Sequence, residues 1–273
     1  MSNQPFVMPP FWNMLWRSTK IKQEWEPLLS KIRQANYFAE YESVKRGYRD
    51  CDVYHVYPYN FDTDLQKIID DELFYQPILR SQKYDGGGHI HYMAKDLGPN
   101  TFVYGVVSNS KEGAEKFKEY SIPGNIDHKI VGQLLGYPDC CIDWFTEEWL
   151  TQKKADPMFE TAMNTSGCEV DGDTVTVSGP PELNRLSRYV GLSALPYYTC
   201  SFDCKPSMEF AGWWEKLMRE YDEHAYDKLI EALNMPVTWS VNNYLVYVEH
   251  PLFRATANGF DVDKKYTVNW KPE

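Results

Sequence analysis

No stretch of this 273-residue chain approaches the ~18 consecutive apolar residues that a membrane-spanning helix needs. Its opening, Met-Ser-Asn-Gln-Pro-Phe-Val-Met-Pro-Pro, has no basic segment, and Pro9 and Pro10 break the short apolar stretch that follows. Neither a spanning segment nor a secretory leader is expected, and the reducing cytoplasm is the expected setting. Cysteine is scarce, with 6 in 273 residues, which excludes a secreted disulfide scaffold. In that setting the Asn164-Thr165-Ser166 sequon reads as chance. Positive charge is also in deficit: 28 basic against 39 acidic residues leave a net charge of −11. A field of that sign repels nucleic-acid backbones and anionic membranes, so non-specific binding to either is not expected, and the charge does not name the small-molecule or redox partner. The chain has no internal repeat, low-complexity tract or long Gly/Ser linker. A single domain over 1–273 is expected, with a possible subdivision into 1–124 and 125–273. Also missing are a Gly-x-Ser-x-Gly elbow, a phosphate loop ending in Gly-Lys-Ser/Thr, and a His-Glu-x-x-His helix. Their absence removes the commonest hydrolase, nucleotidase and zinc-protease chemistries.

What is present is a globular composition, 43% hydrophobic and 25% charged, with an aromatic excess of 20 Tyr, 13 Phe and 9 Trp that calls for bulky buried clusters. Trp12, Leu15, Trp16, Ile21, Trp25, Leu28, Leu29 and Ile32 come close to helical spacing, predicting a helix over 12–35. Residues 51–58 are rich in strand formers. Thr63 and Gln66 form a capping box ahead of Leu65, Ile68, Ile69 and Leu73, which share one helical face. A strand over 101–107 and a charged helix over 111–120 complete a mixed α/β first portion. Further on, Asp171-Gly172 predicts a type I′ hairpin pairing Val170 with Asp173. A long helix over 206–234 follows, and then strands flanking turns at Asn242-Asn243 and Asn258-Gly259. The expected class is α+β: a mixed N-terminal α/β portion, with the long helix packed on a C-terminal antiparallel meander.

The chemistry concentrates in two cysteine boxes. In Leu135-Gly136-Tyr137-Pro138-Asp139-Cys140-Cys141, Gly136 ends one helical pattern and Asp139 is placed to cap the next. Both thiols then fall in a first helical turn, where the dipole favours thiolate. About sixty residues on, Pro196-Tyr197-Tyr198-Thr199-Cys200-Ser201-Phe202-Asp203-Cys204 leads into the long helix, whose first turn accommodates Pro206. Cys-x3-Cys spacing suits zinc, whereas directly adjacent cysteines present one tetrahedral face poorly and favour an iron–sulfur cluster, whose separate irons accept neighbouring thiolates. The sequence therefore assigns Cys140, Cys141, Cys200 and Cys204 to a cysteine-ligated centre, iron–sulfur ahead of zinc, for electron transfer or small-substrate chemistry. Two alternatives stay open: a metal-free thiol enzyme using the vicinal pair, and an interaction module whose cysteines are structural. Cys51 and Cys168, beside valines in strand patterns, read as core residues.

A Gly-Tyr-Pro-x-Cys-Cys box followed by a Pro-x3-Cys-x3-Cys box resembles an uncharacterised microbial and viral family, a domain of unknown function. The matching portion runs from Leu134 to about Ser207. The resemblance implies that the two boxes act together and carries no substrate. Family members have a histidine shortly before the second box, where this chain has Tyr197 and Tyr198, so it implies no histidine ligand there.

Secondary candidates are histidines. His89 and His91, after Gly86-Gly87-Gly88, point to the same face of a strand and can share a metal or a phosphate, although a polar face alone explains them as well. His128, between Asp127 and Lys129, stands in the helix leading to the first box. His55 reads as a core histidine and His224 as a surface one. Arg185 and Arg188 can bind an anion or line a solvated helix face.

Overall fold

The computed structural model describes residues 12–57, 60–83, 89–90, 101–122, 124–151, 156–242, 245–258 and 265–272. In chain order the elements are β1 Trp12–Trp16, α1 Thr19–Lys45, β2 Cys51–Val56, α2 Phe61–Asp70, β3 Phe74–Lys83, β4 His89–Ile90 and β5 Thr101–Ser108. Then come α3 Lys111–Ser121, α4 His128–Leu134, α5 Asp139–Phe145, α6 Met158–Met163, β6 Glu169–Asp171 and β7 Thr174–Val177. The last are α7 Lys205–Leu233, β8 Val237–Asn242, β9 Leu245–Glu249, β10 Phe253–Asn258 and β11 Tyr266–Trp270. The class is α+β, as the sequence predicts. By internal contacts the chain forms two compact units, Met1–Phe38 with Asp143–Glu273, and Ala39–Ile142.

In the unit Ala39–Ile142, an antiparallel sheet of order β2-β5-β3-β4 has apolar cores on both faces. Strand period two sends consecutive β5 residues to opposite sides. Val106 packs with Cys51, Ala114, Phe117, Leu134 and Leu135, while Val107 packs with Tyr41, Val44, Ile68 and Leu73. Cys51 is thus a core residue, and burial pushes its thiol pKa up to about 11.

The other unit holds a seven-stranded sheet of order β1-β10-β9-β8-β11-β7-β6, antiparallel throughout except for the parallel pair β11 and β7. Alternate residues Val237, Trp239 and Val241, then Val246 and Val248, then Tyr266, Val268 and Trp270, bury one face. The expected meander is its centre, β8-β9-β10, extended by strands from distant parts of the chain.

Several local expectations are corrected. Residues 12–16 form an edge strand on β10 rather than the start of a helix. The helix begins after Ser18, whose Oγ accepts the Ile21 N–H at 3.2 Å, and it continues to Lys45 on buried Ala35, Ala39, Tyr41 and Val44. Thr63 lies inside α2 rather than capping it, since Asn60 precedes the helix and makes no side-chain cap. Ile69 is exposed while Ile68 is buried. The hairpin pairs Val170 with Val175, so Gly172 and Asp173 form its loop. Only Gly172 of these two has positive φ, which excludes type I′. Cys168 precedes β6 and is half-buried, its thiol donating to the Met163 carbonyl oxygen. Helix α7 is interrupted at Asp222 (φ −158°, ψ 97°), whose Oδ1 accepts the Ala225 N–H at 2.9 Å as an internal cap. The turns at Asn242-Asn243 and Asn258-Gly259 extend outside the described residues.

Candidate metal centre

The first box is built by two short helices and the turn between them. Asp127 caps α4, its Oδ1 accepting from Lys129 N–H and Ile130 N–H at 2.9 and 3.0 Å. At the other end, Gly136 N–H bonds Gln133 O at 2.9 Å and Tyr137 N–H bonds Gly132 O at 3.0 Å. This pair of bonds with Gly136 at φ +72° is a Schellman closure, as its sequence position predicts. A second constraint reinforces glycine there: a Cβ would meet the Arg49 Cβ at 2.8 Å. Arg49 cannot readily yield, being buried and held by Ser43 Oγ, the Glu40 carbonyl and Asp52.

Helix α5 then starts one residue earlier than expected. The Pro138 carbonyl accepts from Cys141 N–H and Ile142 N–H, so Asp139 lies inside the first turn. Its carboxylate accepts from Gln133 Nε2 at 2.9 Å, tying α5 back to α4. The helices also approach closely where a Cβ on Gly132 would meet Ile142 at 2.8 Å. Phe145, at the end of α5, stacks on Tyr198 at 6.3 Å.

The second box is held by side chains from α6 and its C-terminal turn. Thr161 Oγ1 donates to Thr199 O at 3.2 Å, and Asn164 Nδ2 donates to Cys200 O at 2.8 Å. Thr165 Oγ1 accepts from Phe202 N–H at 2.9 Å, and Ser166 N–H donates to Asp203 at 3.2 Å. Burial raises the Asp203 pKa, but hydrogen bonds from Ser166 and Ser201 outweigh it and hold the carboxyl below the usual carboxylate range. Upstream, Arg185 donates to the carbonyls of Leu195 (2.6 Å) and Tyr197. Cys204 precedes α7, and its carbonyl accepts the Met208 N–H at 3.1 Å. The sequon therefore has a different meaning from the one its pattern suggests, because Asn164, Thr165 and Ser166 position the Cys200–Cys204 loop. Thr161 and Thr165 at i, i+4, with Asn164 beside them, are the signal that sequence reading passed over.

The four box cysteines converge. Their Sγ atoms all lie within 4.8 Å of one another, and those of Cys140 and Cys141 are 4.0 Å apart. Cys141 and Cys204 are buried, Cys200 is half-buried and Cys140 is exposed. None of them is in a disulfide. Among the described residues, His, Cys, Asp and Glu side chains reach metal-binding distances in this one group, and it contains no histidine. Four thiols at such separations can hold a metal ion.

The other candidates lie elsewhere. His128 is the first residue of α4, half-buried, and burial, against the pull of Asp127, holds its pKa below the ordinary histidine value. His89 falls in β4, while His91 and the preceding glycines lie outside the described residues. His55 packs against Tyr104 at 5.3 Å, and His224 is exposed. Arg185 and Arg188 are not on a solvated helix face but buried. Arg188 pairs with buried Asp156, which also accepts from the Tyr189 hydroxyl, and both guanidinium groups lie 5.1 Å from the centre of the Tyr198 ring. No helix among the described residues is long and apolar enough to cross a membrane. No protein-family model matches the chain, and neither the curated proteins nor the solved structures contain a significant match to it.

Proposed function

We propose that the chain is a metalloprotein in which Cys140, Cys141, Cys200 and Cys204 bind a single tetrahedral ion as thiolates, zinc foremost. The observation that carries this reading is the 4.8 Å limit on all Sγ separations, reached by residues from two boxes about sixty positions apart. Thiolates at about 2.3 Å from one zinc sit about 3.8 Å from each other at the corners of a tetrahedron. The 4.0 Å between Cys140 and Cys141 is close to that edge, so adjacency is no obstacle to sharing one ion. Thiolates on different irons of a cluster point away from each other and stand farther apart than thiolates sharing one ion, whereas these sulfurs all lie within 4.8 Å. The compactness thus favours one ion over the iron–sulfur cluster that the spacing alone suggested.

Four thiolates leave a tetrahedral ion no open position, so the closed centre serves the fold. Substitution by Co(II) tests the coordination directly. Tetrahedral tetrathiolate cobalt gives intense visible bands together with sulfur-to-metal charge transfer. Weak bands of octahedral character would refute a four-thiolate site.

A further inference from the structure

The four thiols are alike in chemistry and unlike in access. Cys141 and Cys204 are buried and Cys200 is half-buried, whereas Cys140 is exposed. The Cys200–Cys204 loop is fixed by four side chains or backbone groups of the 161–166 segment, so its sulfurs are not easily lifted toward solvent. A metal-bound thiolate keeps its lone pairs without needing a base, and metal coordination is one way in which proteins prepare a nucleophile. With Zn²⁺, four thiolates carry a summed charge of −2, which raises the nucleophilicity of each sulfur. The same charge, joined by exposed Asp139 and Asp143 on either side of the vicinal pair, opposes the approach of anions.

We propose that Cys140 is the reactive thiolate of this centre and that its substrates are neutral carbon electrophiles carrying a good leaving group. The proposal rests on the tetrathiolate reading given above. The Cys140 sulfur donates an electron pair to the electrophilic carbon, forming an S–C bond. The bond from that carbon to the leaving group breaks, and the leaving group departs with the pair. No redox change occurs. The product thioether is neutral, so the centre passes from −2 to −1, with Cys141, Cys200 and Cys204 still anionic and retaining the ion. The centre thereby acts as an acceptor of alkyl groups.

The test uses the full chain loaded with zinc and treated with one equivalent of iodoacetamide, followed by peptide mapping and a zinc assay. The expected result is label on Cys140 in roughly tenfold excess over each other cysteine, with zinc still bound. Iodoacetate, the anionic analogue, should react several-fold more slowly. In Cys140→Ser, zinc should be held more weakly through the remaining three thiols, and rapid uptake of label should disappear even when excess zinc keeps the site filled. Label spread evenly over the four cysteines, label placed first on Cys51 or Cys168, or zinc released in step with alkylation would overturn the assignment. Faster reaction with iodoacetate would overturn the substrate class. A chain that fails to take up one zinc removes the tetrathiolate reading itself and this proposal with it. A zinc-loaded chain labelled elsewhere removes only the role of Cys140.

Discussion

Asn164 Nδ2 donates a hydrogen bond to the backbone carbonyl of Cys200 at 2.8 Å, so a polar residue at the end of one helix positions the Cys200–Cys204 loop in another part of the chain. Groups that orient ligands without touching the metal typically change affinity by 10–100-fold when removed. Asn164→Ala should therefore weaken zinc binding by about tenfold and cost about 1 kcal/mol of stability. Competition against a chromogenic chelator reads the first, and urea unfolding of the zinc-loaded protein reads the second. Thr165→Val, which strips the buried Phe202 N–H of its acceptor, should cost about 1–3 kcal/mol.

Gly136 answers to two constraints at once, a left-handed φ and the neighbouring Arg49 Cβ. Gly136→Ala should destabilise by at least about 1–2 kcal/mol from the backbone conformation alone, and by more from the contact. The urea midpoint checks this. An unchanged midpoint would mean that the turn before Cys140 is not built as described.

The buried pair of Arg188 and Asp156 cannot lose one member cheaply. Arg188→Met leaves the buried Asp156 carboxylate beside Tyr189 without its Arg188 partner, at an expected cost of about 3–5 kcal/mol. The double variant Arg188→Met with Asp156→Leu should recover much of that loss. Thermal melts of the three proteins measure it.

His250 was not singled out in the sequence, yet it is buried with both ring nitrogens engaged. Its Nδ1 accepts from Leu252 N–H at 3.1 Å, so Nε2 carries the proton toward the Ala232 carbonyl at 3.1 Å. Burial, against the Ala232 bond, lowers its pKa to about 4 from the ordinary 6.5. The unfolded chain therefore binds the proton more readily than the folded one. The stabilisation is full above pH 6.5 and is lost as the pH falls through 4. Between pH 7 and pH 5 the loss should be about 2 kcal/mol, with half-buried His128 adding to it in the same direction. Urea titrations at the two pH values should show this slope reduced in His250→Gln. An equal slope in both proteins would contradict it.

The legible parts of the chain were those where a local pattern and its tertiary role coincide. Gly136 after Leu134 and Leu135 reads as a helix end and is one, the valines of β5 read as a buried strand and form one, and residues 237–241 read as a strand and lie in one. The four cysteines could be grouped because both boxes combine rare residues with helix-start signals. What stayed hidden depended on partners distant in sequence. Residues 12–16 form a strand because β10, more than two hundred positions away, offers them an edge. Arg185 and Arg188 look solvated until Tyr198 and Asp156 are brought over them. The break in α7 at Asp222 is likewise supported from outside the helix, by Lys31 at 2.7 Å.

The claim on which the functional account stands is a single ion held by four thiolates. Anaerobic purification followed by joint assay of zinc, iron and acid-labile sulfide, on the native chain and on Cys200→Ser, tests it most directly. The account predicts about one metal ion per chain, no sulfide, and markedly weaker retention of the metal in Cys200→Ser. Brown protein with iron and sulfide would contradict the single ion in favour of a cluster, and a metal-free chain, or full retention in Cys200→Ser, would contradict the four-thiolate centre.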